Sequence, residues 1–193
     1  AFLYTGVRRA ADGGFNQSAC LAWAGGELLE LRRDPSNPVI PFPPAGYKPV
    51  NFRDHSVWKQ PDGWRMAIGS GDEASGPAVL LYASADLRAW EYLGLLCDGD
   101  AVPRGDLVLG TMWECPSVFF SAGQAGLIVS APGGPLIMTG QYADPRFYPK
   151  VAEQLDFGGM AFYAPQTFYD ANGRLLMFGW LTEARGAEAQ VRA

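Results

Sequence analysis

The chain has 193 residues and a net charge of −5, from 15 Lys and Arg against 20 Asp and Glu. That acidic balance, with no block of basic residues, argues against a nucleic-acid partner and against a polybasic membrane-surface segment. No run of roughly 18 apolar residues could cross a bilayer as a helix, and 48% hydrophobic with 18% charged residues excludes a disordered chain.

Cys20, Cys97 and Cys115 lie far apart, and His55 is the only histidine. This leaves neither a disulfide framework nor a zinc ligand set. No Gly-x-Ser-x-Gly elbow accompanies the histidine, so polar chemistry must rest on carboxylates. The 24 glycines and 15 prolines punctuate short strands and spoil long helices, which predicts an all-β fold.

In chain order, the turn Ala11-Asp12-Gly13-Gly14 and the run Ser18–Trp23 come first, as a faint copy of the later hairpins. Phe52-Arg53-Asp54-His55-Ser56-Val57-Trp58 leads to the turn Pro61-Asp62-Gly63 and a second apolar strand, Trp64–Ile68. Asp-Gly between apolar runs is a strong hairpin signal, because its positive-φ turn suits the strand twist. Gly69–Ala74 loosely fits a phosphate loop, but Gly76-Pro77 stands where a helix should come next, so it reads as a hairpin loop. Leu80–Ser84 and Trp90–Gly94 read as outer strands. Trp113-Glu114-Cys115-Pro116-Ser117-Val118-Phe119 with Gly126–Val129, and Phe162–Tyr169 with Leu175–Phe178, repeat the hairpin at offsets of 61 and 49 residues. The tail Thr182–Ala193 has few apolar residues to dock and reads as frayed chain.

Repeats of this length, each a small antiparallel sheet, predict a β-propeller, with a β-sandwich as the rival. At 50–60 residues per blade the chain holds about three and a half blades. Arg53, Asp54 and Glu114 open their strands, and such positions converge on one mouth of a propeller channel. A carboxylate pair of this kind is the minimal equipment for cleaving a glycosidic bond. The collar of Trp113, Cys115 and Pro116 predicts a raised pKa for Glu114, and Arg53 predicts an ionised Asp54 if the two side chains meet. Trp113 is the sugar-stacking candidate, while Trp23, Trp64 and Trp180 read as core. His55 reads as a tolerated loop residue.

Phe52-Arg53-Asp54 resembles the Arg-Asp-Pro motif of glycoside hydrolase family 32, and Trp113-Glu114-Cys115-Pro116 is similar to its Glu-Cys-Pro motif. Tyr4-Thr5-Gly6 resembles its aromatic-Ser-Gly motif, and Asn37–Ile40, Phe162–Phe168 and Gly173–Trp180 resemble further segments in order. The resemblance implies a five-bladed propeller and retaining hydrolysis of β-fructofuranosides such as sucrose or fructan, without metal or cofactor. Glu114 would be the general acid/base, tuned by Cys115. Asp54 would hold fructosyl hydroxyls with Arg53 beside it, and Tyr4 and Thr5 would touch the sugar. The family's nucleophile lies in an Asn-Asp-Pro-Asn-Gly motif that residues 1–193 do not contain. The expectation is therefore a partial catalytic propeller domain over 1–193, inactive alone, without the nucleophile segment, the last blade or the C-terminal β-sandwich. Fructosyl transfer on the same site and a non-catalytic carbohydrate-binding propeller are the alternatives.

Overall fold

A computed structural model describes residues 1–26, 30–103, 105–156 and 161–182. The expected tail lies outside the described residues apart from Thr182. The strands are β1 (Phe2–Arg9), β2 (Phe15–Ala24), β3 (Leu31–Arg33), β4 (Phe52–Gln60), β5 (Gly63–Asp72), β6 (Gly76–Ser84) and β7 (Glu91–Asp98). They continue as β8 (Glu114–Ser121), β9 (Gln124–Ala131), β10 (Gly134–Ala143), β11 (Arg146–Gln154), β12 (Phe162–Tyr169) and β13 (Leu175–Leu181). The only helical elements among the described residues are the 3₁₀ turns Pro49–Asn51 and Gly99–Ala101.

Every sheet is an antiparallel meander in chain order. β4 to β7 and β8 to β11 form four-stranded blades, preceded by the three strands β1 to β3 and followed by the hairpin β12–β13. This is a propeller arrangement, with β4, β8 and β12 packed side by side along the inner edge. The three predicted hairpins all form, and Leu80–Ser84 and Trp90–Gly94 lie in or border the outer strands β6 and β7. Gly69–Ala74 spans the end of β5 and its turn, where the Asp72 carboxylate caps the backbone N–H groups of Ala74 and Ser75 at 2.9 and 2.8 Å. The faint first copy also forms a hairpin, β1 with β2 around the turn at 11–14, but it lacks the bulge of the other three. β1 and β2 pair in unbroken register from Phe2 with Ala22 to Arg9 with Phe15, without the irregularity that marks the other three hairpins.

That irregularity is a β-bulge in the first strand of each hairpin, at Arg53/His55, Glu114/Ser117 and Tyr163/Gln166. At each one a non-glycine residue takes a left-handed backbone: Asp54 (φ 61), Cys115 (φ 50) and Ala164 (φ 52). These residues share the 61- and 49-residue offsets, so the sequence repeat is also a repeat of backbone conformation. Such a conformation costs of order 1–3 kcal/mol per residue and persists only where its surroundings fix it.

Side chains alternate across a strand, and β5 and β6 are buried on both faces. Met66, Ile68, Leu80 and Tyr82 pack towards the first sheet with Ala19, Ile40 and Phe52. Ala67, Val79 and Leu81 pack towards the third with Trp113, Leu127, Val129 and Met138. Polar clasps repeat along the seams. The Ser56 hydroxyl accepts the Val118 N–H at 3.0 Å, and Ser117 accepts the Thr167 N–H at 2.9 Å. Asp34 accepts the Trp23 indole N–H at 2.6 Å and pairs with Arg88 at 2.9 Å, tying the first sheet to the second. Arg65, whose side chain is 7% exposed, pairs with Asp144 across the next seam at 2.5 Å and with Asp62 in its own hairpin at 2.8 Å.

The tryptophans divide differently from expectation. Trp23 and Trp64 are only partly buried. Trp180 is 62% exposed on β13, whose outer edge carries no further strand among the described residues.

Asp144→Ala should destabilise the chain more than Asp62→Ala, because it leaves the buried Arg65 with a single carboxylate partner, and that one is solvent-exposed. Hydrogen bonds to charged groups contribute about 1.5–3 kcal/mol, and solvent screening of Asp144 reduces the expected loss to about 1–2 kcal/mol. Urea unfolding of the two variants side by side measures the difference, and equal losses would contradict this role for Asp144.

Candidate active site

The bulges decide which side chains meet. Residues one place before the bulge, Arg53, Glu114 and Tyr163, are equivalent in three successive sheets, and they form one line. Arg53 Nε and Nη2 both donate to Glu114 Oε1, at 2.9 and 2.8 Å, and the Tyr163 hydroxyl donates to Glu114 Oε2 at 2.5 Å. The residues at the bulge form a second line. The Asp54 N–H donates to the Thr5 hydroxyl at 3.1 Å, and Asp54 Oδ2 accepts the Cys115 N–H at 2.8 Å and its thiol at 3.3 Å. Gln166 closes this line by donating to the Cys115 carbonyl at 3.0 Å.

Cys115 turns to Asp54 because the second repeat has no hydroxyl to offer. The equivalent bulge N–H of Ala164 donates to Ser130 on β9 at 3.2 Å. The residue of β5 in register with Arg53, as Ser130 is with Glu114, is Gly69. A Cβ there would lie 2.4 Å from the Trp113 carbonyl oxygen, so no side chain fits.

Two electrostatic expectations are therefore corrected. Arg53 pairs with Glu114, not Asp54, because equivalent positions face each other across the seam. Glu114 is not raised by an apolar collar. Burial does push its pKa upward, but the Tyr163 hydroxyl and the Arg53 guanidinium outweigh that and hold it below the ordinary carboxylate value. The burial of Tyr163 and its bond to Glu114 push the phenol up, and burial and the nearby Asp54 push the Cys115 thiol up. That thiol stays protonated as a donor.

Trp113 is also corrected as a sugar-stacking residue. It is fully buried in the core between the second and third sheets, its indole N–H donating to the Leu109 carbonyl at 3.1 Å. The structure brings Arg53, Asp54, Glu114, Cys115 and Thr5 together, while Tyr4, next to Thr5 on β1, lines a depression with Thr5, Arg8, Asn16 and Arg33. Sequence reasoning missed Tyr163, although its 49-residue offset from Glu114 is the spacing of the hairpin repeat itself. It also missed Gln17, which no motif marks.

Arg53, Glu114 and Tyr163 line a concavity with Thr111, Met112, Ser130 and Pro132. A larger depression by the β8–β9 turn, lined by Phe120, Gln124, Tyr142 and Lys150, holds neither acid and is not the site. No group of three or more His, Cys, Asp or Glu residues could hold a metal ion among the described residues.

His55 is not a loop residue. It sits in β4 directly after the bulge, with its Nε2 buried and unpartnered. Burial pushes its pKa down to about 4, against about 6.5 in an unfolded chain. The unfolded state then binds more protons between these values, so stability falls as pH drops from about 6.5 to 4, by up to about 3 kcal/mol. His55→Leu should flatten that fall. Urea titrations at pH 4.5 and 7.5 compare the slopes, and an unchanged slope would show that the imidazole does not carry it.

The family model described as "Glycosyl hydrolases family 32 N-terminal domain" matches residues 1–192. A sucrose-6-phosphate hydrolase of Salmonella typhimurium is 35% identical over an alignment covering 96% of this chain and 41% of that protein. A cell-wall β-fructofuranosidase of Zea mays is 32% identical, with 95% and 35% covered. The structure of a Bombyx mori GH32 β-fructofuranosidase superposes with a TM-score of 0.80 at 30% identity, covering 97% of this chain and 42% of that one. The chain thus spans about two-fifths of the length of these relatives.

Proposed function

Because the chain belongs to glycosyl hydrolase family 32, we propose that its two side-chain lines are the acid/base and sugar-holding part of a retaining β-fructofuranosidase site. The observation that carries this reading is Glu114, half-buried and gripped on both oxygens by Arg53 and Tyr163, beside an Asp54 gripped on one oxygen only. Glu114 is the proton donor to the leaving-group oxygen, and in the second half-reaction it takes a proton from water. Asp54 keeps Oδ1 for sugar hydroxyls while Cys115 and Thr5 fix its carboxylate and backbone. Arg53 offsets the negative charge that two neighbouring carboxylates bring together.

A general acid must be protonated, and here Arg53 and Tyr163 hold Glu114 ionised. A retaining mechanism places a second carboxylate about 5–5.5 Å from the acid. A like charge at that distance raises the pKa again. The acid form is then a property of the assembled pair. The substrates are β-fructofuranosides, sucrose-6-phosphate being named for the Salmonella typhimurium relative and sucrose for a complex of the Bombyx mori enzyme.

In the protein that carries this chain, Glu114→Gln should lower sucrose hydrolysis by about 10²–10⁴-fold. The loss should be smaller on a fructoside whose leaving group needs no proton. Asp54→Asn should lower both alike, since it acts on the fructosyl unit they share. Rates on the two substrates decide the matter: equal losses with Glu114→Gln would remove it from the acid role.

A further inference from the structure

We infer that Gln17 is a positioning residue for the Glu114 carboxylate and acts on it through Arg53. The inference rests on the acid/base reading of Glu114 and adds to the site a second residue of the first sheet, beside Thr5.

Gln17 lies on β2, and its Oε1 accepts two hydrogen bonds from the start of β4: the Phe52 N–H at 3.0 Å and Arg53 Nη1 at 3.1 Å. Both lone pairs of the amide oxygen are thereby used. The Val50 carbonyl takes Nη1 as well, at 3.1 Å. Only the Nε and Nη2 edge of the planar guanidinium remains, and that edge meets Glu114. The Phe52 bond fixes the backbone from which Arg53 springs, and the Nη1 bond fixes the rotation of its fork. An arginine side chain gives up rotamer freedom when it pairs, so a pre-set fork loses less. The brace is also neutral. A carboxylate at position 17 would compete with Glu114 for the same cation, whereas an amide oxygen holds the cation and leaves its charge to the acid.

The test follows Glu114 in the protein that carries this chain, labelled with ¹³C at its glutamate carboxyls. The titratable groups interacting with Glu114 are Arg53, Tyr163 and Cys115, none of which is altered in the Gln17 single variants. Gln17→Glu keeps an acceptor for Phe52 and should raise the ionisation midpoint of Glu114 by about one pH unit, by dividing the charge of Arg53. Gln17→Asn, one methylene too short to reach, should raise it by about half a unit. In an Arg53→Met background, Gln17→Asn should add nothing. The pH profile of kcat/KM in the protein that carries this chain should move with the midpoint. A midpoint unmoved by both folded variants overturns the inference, as does an equal movement without Arg53. If the parent protein hydrolyses no fructoside, the functional reading fails, and the titration still decides the role of Gln17.

Discussion

The Arg53–Glu114 pair across the seam of two sheets depends on a backbone feature that neither residue supplies. A strand entering the inner edge bulges by one residue, and the same bulge recurs in the next two repeats. Because the bulges are in register, equivalent residues face one another. Gln17, Arg53, Glu114 and Tyr163 then run as one line of donors and acceptors through four sheets, and Thr5, Asp54, Cys115 and Gln166 as a second. A chemistry that needs two carboxylates in different surroundings gets them from adjacent positions in one geometry. One acid lies before the bulge among strong donors, and the other lies on it, facing an amide and a thiol.

The lines are held open by bulk elsewhere. Trp113 shows this most plainly: its neighbour Glu114 faces the concavity while the indole fills the core between two blades. The large ring is an anchor that sets the depth of the strand carrying the acid. Gly69 works by omission, since the Trp113 carbonyl occupies the place of its Cβ and the seam closes over it. Farther out, Arg65 and Asp34 fasten the rims, so the inner lines need not hold the sheets together by themselves.

Much of this was legible in the residues. The 61- and 49-residue offsets gave the hairpins, their turns and the propeller class, because Gly and Asn at turns and aromatics at strand starts are local signals. Glu114, Asp54 and Arg53 were legible as a group. Their partners were not, since adjacency in sequence suggested Arg53 with Asp54, whereas the bulge sends successive side chains to different neighbours. The same reason hides the true surroundings of Glu114: Trp113, Cys115 and Pro116 flank it in the chain, but Arg53 and Tyr163 flank it in space. His55 looked like a loop residue because it stands where the Arg-Asp-Pro motif it resembles has proline, which carries no strand signal. Trp180 looked like core because an apolar strand does not announce whether a neighbour covers it.

The fourth sheet gives the arrangement a further property. β12 and β13 are a lone pair of strands among the described residues, and Met177, Phe178, Trp180 and Leu181 lie exposed on them. Tyr163 rides on this hairpin, while Arg53 belongs to the well-covered second sheet. Stability varies across a fold, and thinly packed units open first. Lifting this hairpin from its neighbour would withdraw Tyr163 from Glu114 and leave Arg53 in place. The acidity of the carboxyl is therefore tied to how firmly this hairpin is seated, because Trp180 of β13 pairs directly with Tyr163.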